Sequence, residues 1–248
     1  MDRYWVGGAG SWSDTGHWST SDGGSSGASA PTSSDNAFFT ASSGAGIVNA
    51  SSGACLNMDC TGYTGTITSS GAWTSVYGDL TLSSGGTYTA FTPKLLGSGA
   101  QSCTFAGKTI TTVYVEGDAS NERTVTFNDV VTLSGNLLLN YGNGTTGGKA
   151  VTLKLKDGVT TTVGAFGMAT SGPSSGRNTL CSTSTGSAAT LSDSSGSNFF
   201  YYVNIADITA SGGASWASAT NAYDYGGNSG ITGLIGPNAN TLFFGDVA

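Results

Sequence analysis

Short runs in which apolar and polar residues alternate recur along most of the chain, and this feature most limits how the chain can fold. A period of two is that of a half-buried β-strand, and no window shows the three- and four-residue apolar spacing of a helix. In AVTLKLKDG at 150–158, valine and leucine share one face while Thr152, Lys154 and Lys156 share the other. Runs of this kind lie at 64–70, 78–90, 108–117, 123–140, 150–164 and 199–213.

The spacing of these runs predicts a β-solenoid. Inward-pointing apolar residues, one per repeating unit, recur in steps of 22 to 27 residues: Leu56, Leu80, Phe105, Phe127, Leu153, Leu180 and Val203. A coil of two or three short strands needs a repeat of this length. The predicted fold is therefore all-β, a right-handed parallel β-helix or β-solenoid. The alternative is an antiparallel β-sandwich or jelly roll, which also has short strands and glycine-rich turns.

Serine, threonine, asparagine and glycine take the surface positions that charged residues usually fill. Charged residues make up 9% of the chain, against about 25% in ordinary soluble proteins. The net charge of −7 with eight Lys and Arg argues against nucleic-acid binding, because neutralising a phosphate backbone needs clustered cations. The lysines of LKLKDG are interpreted as lying on the solvent-exposed face of a strand. No stretch approaches the roughly 18 apolar residues of a membrane span, so no membrane insertion is expected.

The first 20 residues concentrate aromatic side chains: RYWVGGAGSWSDTGHWST contains Trp5, Trp12, Trp18 and the single histidine, His17. An open solenoid end exposes an apolar cross-section that has to be covered. We therefore predict that these side chains cap the first coil or contact a neighbouring subunit. Exposed tryptophans also stack on sugar rings, so a carbohydrate site is the alternative.

A similar role is predicted at the other end for Trp216, within the turn-rich stretch 212–233. The resulting organisation is a cap and Gly/Ser-rich lead-in over 1–41, solenoid coils over 42–213, and a closing coil with a tail strand over 214–248. The tail strand is expected at 240–248.

No residue pattern indicates catalysis, a cofactor or a metal. A nucleophilic triad needs a positioned histidine as its base, and the single histidine of the chain, His17, gives little support for one. Glu116 and Asp118, with Glu122 nearby, form the best carboxylate pair for sugar hydrolysis, but EGDASNE reads as a polar turn. The spacing of the four cysteines favours buried free thiols over disulfides or zinc: Cys55, Cys60, Cys103 and Cys181.

Motifs at both ends of the chain resemble those of β-helical phage virion and bacterial surface proteins. These begin with YWVGG-x-G-x-W and HWS, then a Gly/Ser stretch, P-T-x-x-D and an aromatic strand, and they close with a Gly-rich coil. The matching positions are Tyr4–Gly8, Trp12, His17–Ser19, Pro31, Thr32, Asp35, Phe38, Phe39 and the ASGGASW…DYGGNSGI ending, with Ile231 where an aromatic residue is usual. The match covers mainly 3–41 and 199–231, and it implies a structural or receptor-contacting role without catalytic residues.

The expected function is that of a non-enzymatic bacteriophage virion protein: a capsid decoration, tail or fibre component. MDRYWVGG lacks the features of a secretory signal, which suits a protein made in the host cytoplasm. Its expected partners are other virion proteins and its own copies, with a homotrimer predicted because closed oligomers bury solenoid ends and flanks. The alternatives are a carbohydrate-binding adhesin that contacts host polysaccharide, on a virion or a bacterial surface, and a polysaccharide-degrading, tailspike-like enzyme.

Overall fold

The computed structural model describes residues 1–141 and 148–236. Two 3₁₀ turns, Thr15–His17 and Ala41–Ser43, interrupt a succession of strands. In chain order the strands are β1 (Asp2–Trp5), β2 (Gly10–Ser11), β3 (Trp18–Ser19), β4 (Asn36–Phe38), β5 (Ile47–Asn49), β6 (Ala54–Cys55), β7 (Met58–Asp59), β8 (Thr66–Thr68), β9 (Thr74–Val76), β10 (Leu80–Thr81), β11 (Thr87–Tyr88), β12 (Pro93–Leu95), β13 (Gln101–Thr104), β14 (Thr109–Ile110), β15 (Val113–Val115), β16 (Arg123–Phe127), β17 (Thr132–Leu133), β18 (Asn136–Leu139), β19 (Val151–Leu155), β20 (Thr160–Val163), β21 (Ala165–Met168), β22 (Asn178–Ser182), β23 (Ala189–Asp193), β24 (Ser197–Ala206), β25 (Ile208–Gly212) and β26 (Ser215–Asp224).

Successive strands belong to different sheets, and the chain returns to the first sheet one coil later. Sheet A contains 11 strands in the order β26-β24-β22-β19-β16-β13-β10-β7-β4-β1-β3. From β4 to β21, the strand after each sheet A strand joins sheet B (β5, β8, β11) or sheet D (β14, β17, β20), and the next joins sheet C (β6, β9, β12, β15, β18, β21). Sheet B begins with β2, and after β22 and β24 the chain passes through sheet D (β23, β25) and returns directly to sheet A. This is the arrangement of a parallel β-solenoid.

The pairing between strands is parallel throughout these sheets, except that β3 runs antiparallel to β1. A β-sandwich or jelly roll is built from antiparallel pairs, so the alternative fold is wrong. The all-β prediction is confirmed, and each of the six alternating runs contains at least one strand. Among the described residues, no helix is long and apolar enough to cross a lipid bilayer.

The core is a narrow column of apolar side chains that the register places above one another. Leu80 pairs with Cys103, which pairs with Phe127, and in the following coils Leu153 pairs directly with Leu180. All five side chains are fully buried. Each of these rows alternates with outward residues, which leaves threonine, serine and lysine on the outer faces.

Leu56 does not point inward as predicted, because its side chain is 37% exposed. The connection from sheet C to sheet A covers only residues 56–57 at this coil. Leu56 lies in that corner, and Met58, the first residue of β7, takes the inward position.

The stretch 212–233 contains β26, one of the two ten-residue strands, followed by glycine-rich bends over 225–233. Its small residues fit against β24, with a register shift between Phe200 and Tyr201. The tail strand expected at 240–248 lies outside the described residues.

Connections from sheet C to sheet A differ in length. They cover 56–57 between β6 and β7, 116–122 between β15 and β16, and 169–177 between β21 and β22. In the connection before β22, Gly172 lies against Tyr202 of β24 so closely that an added Cβ would be 2.6 Å from the ring.

Candidate functional site

An aromatic cluster formed by Trp5, Trp12, Trp18, Phe39 and Tyr63 fills the interior at the β3 end of sheet A. Trp5 and Trp18 are fully buried and meet edge to face with ring centroids 5.1 Å apart. Trp12 packs on Trp18 at the same distance, and Phe39 links the tryptophans to Tyr63. The cluster thus continues the core column to the end of the strand stack.

The indole N–H groups of the cluster differ in how they are satisfied. Trp5 Nε1 donates to the Gly8 carbonyl and Trp18 Nε1 to the Trp12 carbonyl, each at 2.7 Å. Trp12 Nε1 is buried and has no acceptor in the described part of the chain. Burial of all three rings leaves none of them to stack on a sugar.

His17 packs flat on Trp5, with 4.8 Å between ring centroids. Its Nδ1 lies 3.0 Å from the Val6 carbonyl oxygen, which can only accept, so Nδ1 carries the proton. Its Nε2 lies 3.7 Å from Asp14, whose other oxygen accepts from the Gly16 amide. These contacts make His17 a packing residue of the chain end.

The glycines before His17 leave room for its ring. A Cβ at Gly10 would lie 2.4 Å from the imidazole, and Gly7 has a φ of +89° with a Cβ position 3.2 Å from Nδ1. Glycine tolerates both the close approach and the positive φ. The glycines of YWVGGAGSW and the histidine of HWS are therefore two halves of one packing arrangement.

The remaining end motifs form turns. Asp35 Oδ2 accepts from both the hydroxyl and the amide of Thr32, at 2.6 and 3.0 Å, and these bonds, with the terminal ammonium, lower the pKa of Asp35 to about 2. In the ending, Asp224 accepts from the Gly226 amide and from Asn228, whose own Oδ1 accepts from the Ile208 amide. In both motifs, side-chain hydrogen bonds hold the backbone in a turn.

Trp216 is buried near the last coil. Its ring stacks on Phe200 with centroids 6.0 Å apart, and its Nε1 donates to the Ser211 carbonyl at 3.0 Å. Like the N-terminal tryptophans, it packs into the interior.

The carboxylate pair proposed from sequence is not arranged as a catalytic pair. Glu116 is completely buried and lies 3.9 Å from Lys94 Nζ. Asp118 accepts from the amides of Ser120 and Asn121, which hold its pKa below the usual value. The interpretation as a polar turn is right for Asp118, while burial of Glu116 has no signal in the sequence.

A buried arginine completes this corner. Arg123 donates to the Glu116 carbonyl at 3.1 Å and to the side chain of Gln101. Burial lowers the pKa of Arg123 to about 10. These groups join neighbouring coils at the C-to-A corner.

A groove of about 650 Å³ lies on the outer face of sheet A and is here called the sheet A groove. It crosses β16, β19, β22 and β24, and the corner after sheet A, with Thr183, Thr185 and Asp207, forms one wall. Its floor consists of Thr124, Thr152, Lys154, Thr179, Cys181 and Asn204.

The register places the floor residues in two rows along the stack. Thr124, Thr152, Thr179 and Asn204 are successive partners in one row. Lys154 pairs with Cys181 in the other. Asn204 Oδ1 is buried without a hydrogen-bond partner within the described ranges. Beyond Asn204, the guanidinium of Arg177 lies 4.0 Å from the centroid of the Tyr223 ring.

All four cysteines are free. Cys55, Cys60 and Cys103 are buried, and burial raises the pKa of each thiol well above its usual value. Cys181 is half-buried in the groove, with its pKa also raised by burial despite nearby Lys154. Within residues 1–141 and 148–236, no three His, Cys, Asp or Glu side chains are grouped to hold a metal ion.

No protein-family model matches this chain. The comparisons with curated proteins and with solved structures likewise return no match.

Proposed function

We propose that the chain is a non-enzymatic bacteriophage virion protein, a capsid decoration, tail or fibre component built as a right-handed β-solenoid. The observation that carries this proposal is the burial of Trp5, Trp12, Trp18 and Trp216 at the two ends of the strand stack. Side chains placed there stabilise a scaffold and have no access to a ligand. The N-terminal and C-terminal motifs, which resemble those of virion and bacterial surface proteins, support the assignment.

The aromatic cluster acts as the cap of the first coil. A parallel stack ends in a row of unpaired backbone groups and an apolar cross-section. Here the edge is β3, which has only two residues and runs antiparallel to β1. A short edge strand above a closed aromatic interior offers few free backbone groups for a strand of another chain to pair with. This suits a protein that assembles through defined contacts.

The flanks support assembly as a homotrimer. Trp73, on the outer face of sheet C, is 45% exposed, and Lys94 and Tyr114 from neighbouring coils lie against its ring at 4.6 and 5.9 Å. A closed symmetric oligomer would bury such aromatic surface. Native mass spectrometry of the purified chain should give the mass of three copies, and Trp73→Ser should shift it to one; a wild-type monomer at all concentrations contradicts the trimer.

The virion assignment has its own test. Peptides of this chain should appear in purified phage particles in amounts comparable to other structural proteins. Absence from particles contradicts the virion role. Release of reducing sugar from host polysaccharide that disappears in Glu116→Gln would contradict the non-enzymatic role.

Carbohydrate binding is the second candidate function, and the sheet A groove favours it. The groove is lined by hydroxyl, amide, lysine and aspartate side chains, and these groups can form hydrogen bonds with the hydroxyl groups of a sugar. The tryptophans that suggested sugar binding from sequence are not part of it.

A further inference from the structure

We propose that the sheet A groove binds an anionic polysaccharide, with Lys154 holding a carboxylate of the chain and the threonine row and Asp207 contacting its hydroxyl groups. This inference rests on the second candidate function, glycan binding, and names its site and ligand class. It is independent of whether the chain belongs to a virion.

The shape of the groove fits a repeating polymer. Its floor crosses four neighbouring strands of sheet A, β16, β19, β22 and β24. Adjacent strands are about 4.8 Å apart, so four strands present side chains over about 14 Å along the stack. Thr124, Thr152 and Thr179 offer one hydroxyl on each of three successive strands. An extended sugar chain repeats its hydroxyl groups and meets the same partner at each step.

Lys154 supplies the positive charge of the groove, whose lining also holds one carboxylate, Asp207. Among the described residues, Lys94 and Lys156 form salt bridges with Glu116 and Asp157, and Lys154 forms none. Cys181, its neighbour in the row, has a raised pKa and remains an uncharged thiol at neutral pH. A carboxylate bound to the Lys154 ammonium would form a charge-assisted hydrogen bond, which is about twice as strong as a neutral one.

The other polar groups favour an acidic sugar over a nucleic acid. Asp207 lines the groove, with Oδ2 accepting from the Gly186 amide at 2.9 Å. Its carboxylate can accept hydrogen bonds from sugar hydroxyl groups, whereas an ionised phosphodiester has no hydrogen to donate. Nucleic-acid binding needs rows of cations, whereas the floor carries one lysine.

The test is isothermal titration calorimetry with three acidic oligosaccharides, each compared with its methyl ester. They consist of galacturonate, of mannuronate, and of glucuronate alternating with a neutral sugar. The ester keeps the ring and the hydroxyls but removes the charge. We expect at least one acid to bind and its ester to bind at least about tenfold more weakly, the range expected for loss of a hydrogen bond to a charged group.

The variants locate the ligand. Lys154→Gln should weaken binding of the acid about tenfold or more and leave its ester unaffected. The matched control is Lys108→Gln, which removes a lysine near β14, outside the groove, and should leave the affinity unchanged. Bound oligosaccharide should also slow alkylation of Cys181, whereas the other three thiols are buried in either state.

Each other outcome overturns the inference in a different way. Equal binding of acid and ester would leave glycan binding standing but refute an anionic ligand. Equal loss of affinity in Lys154→Gln and Lys108→Gln would leave glycan binding standing but refute the groove as its site. Absence of binding across the panel removes both the inference and the glycan-binding function. Tighter binding of a DNA duplex with the same dependence on Lys154 replaces the sugar with a nucleic acid.

Discussion

Trp18→Ala removes a fully buried indole from the aromatic cluster and is the sharpest test of the cap. Substitution of a buried tryptophan by alanine lowers the free energy of unfolding by about 3–5 kcal/mol. The hydrogen bond from Trp18 Nε1 to the Trp12 carbonyl at 2.7 Å is lost as well. In a chain of this size about 1 kcal/mol corresponds to 2–4 °C, so the melting temperature should fall by roughly 6–20 °C.

Differential scanning calorimetry measures this change, and hydrogen exchange locates it. In a stack of coils that contact only their neighbours, unfolding can begin at one end. Amides of β1 and β4 should therefore lose protection in Trp18→Ala before those of β22. Phe199→Ala, which removes a phenylalanine that is 45% exposed, is the control. A melting temperature within about 2 °C of wild type, or an equal effect of both substitutions, refutes the cap.

Three further predictions concern single groups. Trp12→Phe should destabilise the chain less than Trp18→Phe in urea unfolding, because the buried Trp12 Nε1 has no acceptor among the described residues; equal losses would be against it. Asp35→Asn should lower the melting temperature at pH 7, and the difference should shrink as pH falls from about 4 through 2, since the native pKa is about 2; a difference as large at pH 2 as at pH 7 contradicts the proposed bonds. Under native conditions a thiol reagent at pH 8 should modify Cys181 alone, because the other three cysteines are buried; rapid reaction of all four contradicts the packing.

The sequence predicts the coil but not where each corner falls. Alternation within a strand depends only on adjacent residues, so the inward positions of Leu153 and Leu180 follow from it, and they pair directly. Corner lengths vary with each connection. A regular repeat spacing therefore predicts an inward position for Leu56, which lies in a corner instead. β26 is missed because its pairing with β24 involves small residues with little alternation.

The candidate groove is invisible in the linear sequence for a related reason. Thr124, Thr152 and Thr179 are separated by most of a coil each and become neighbours only through the register of sheet A. Lys154 is correctly placed on the outer face, but a solvated face and a groove floor have the same alternation. The usable signal is recurrence of threonine at the same position of successive repeats, which can be read only once the repeat boundaries are known.

The register that aligns the outer rows of sheet A also sets a unit of length for anything bound there. Each additional coil would extend the groove by one strand spacing, about 4.8 Å, and add one more side chain to each row without altering those already present. Duplication or loss of a coil would therefore change how many repeats of a bound polymer are held while leaving the recognition of each repeat intact. In such a scaffold, selectivity for chain length and selectivity for chemical type can vary independently.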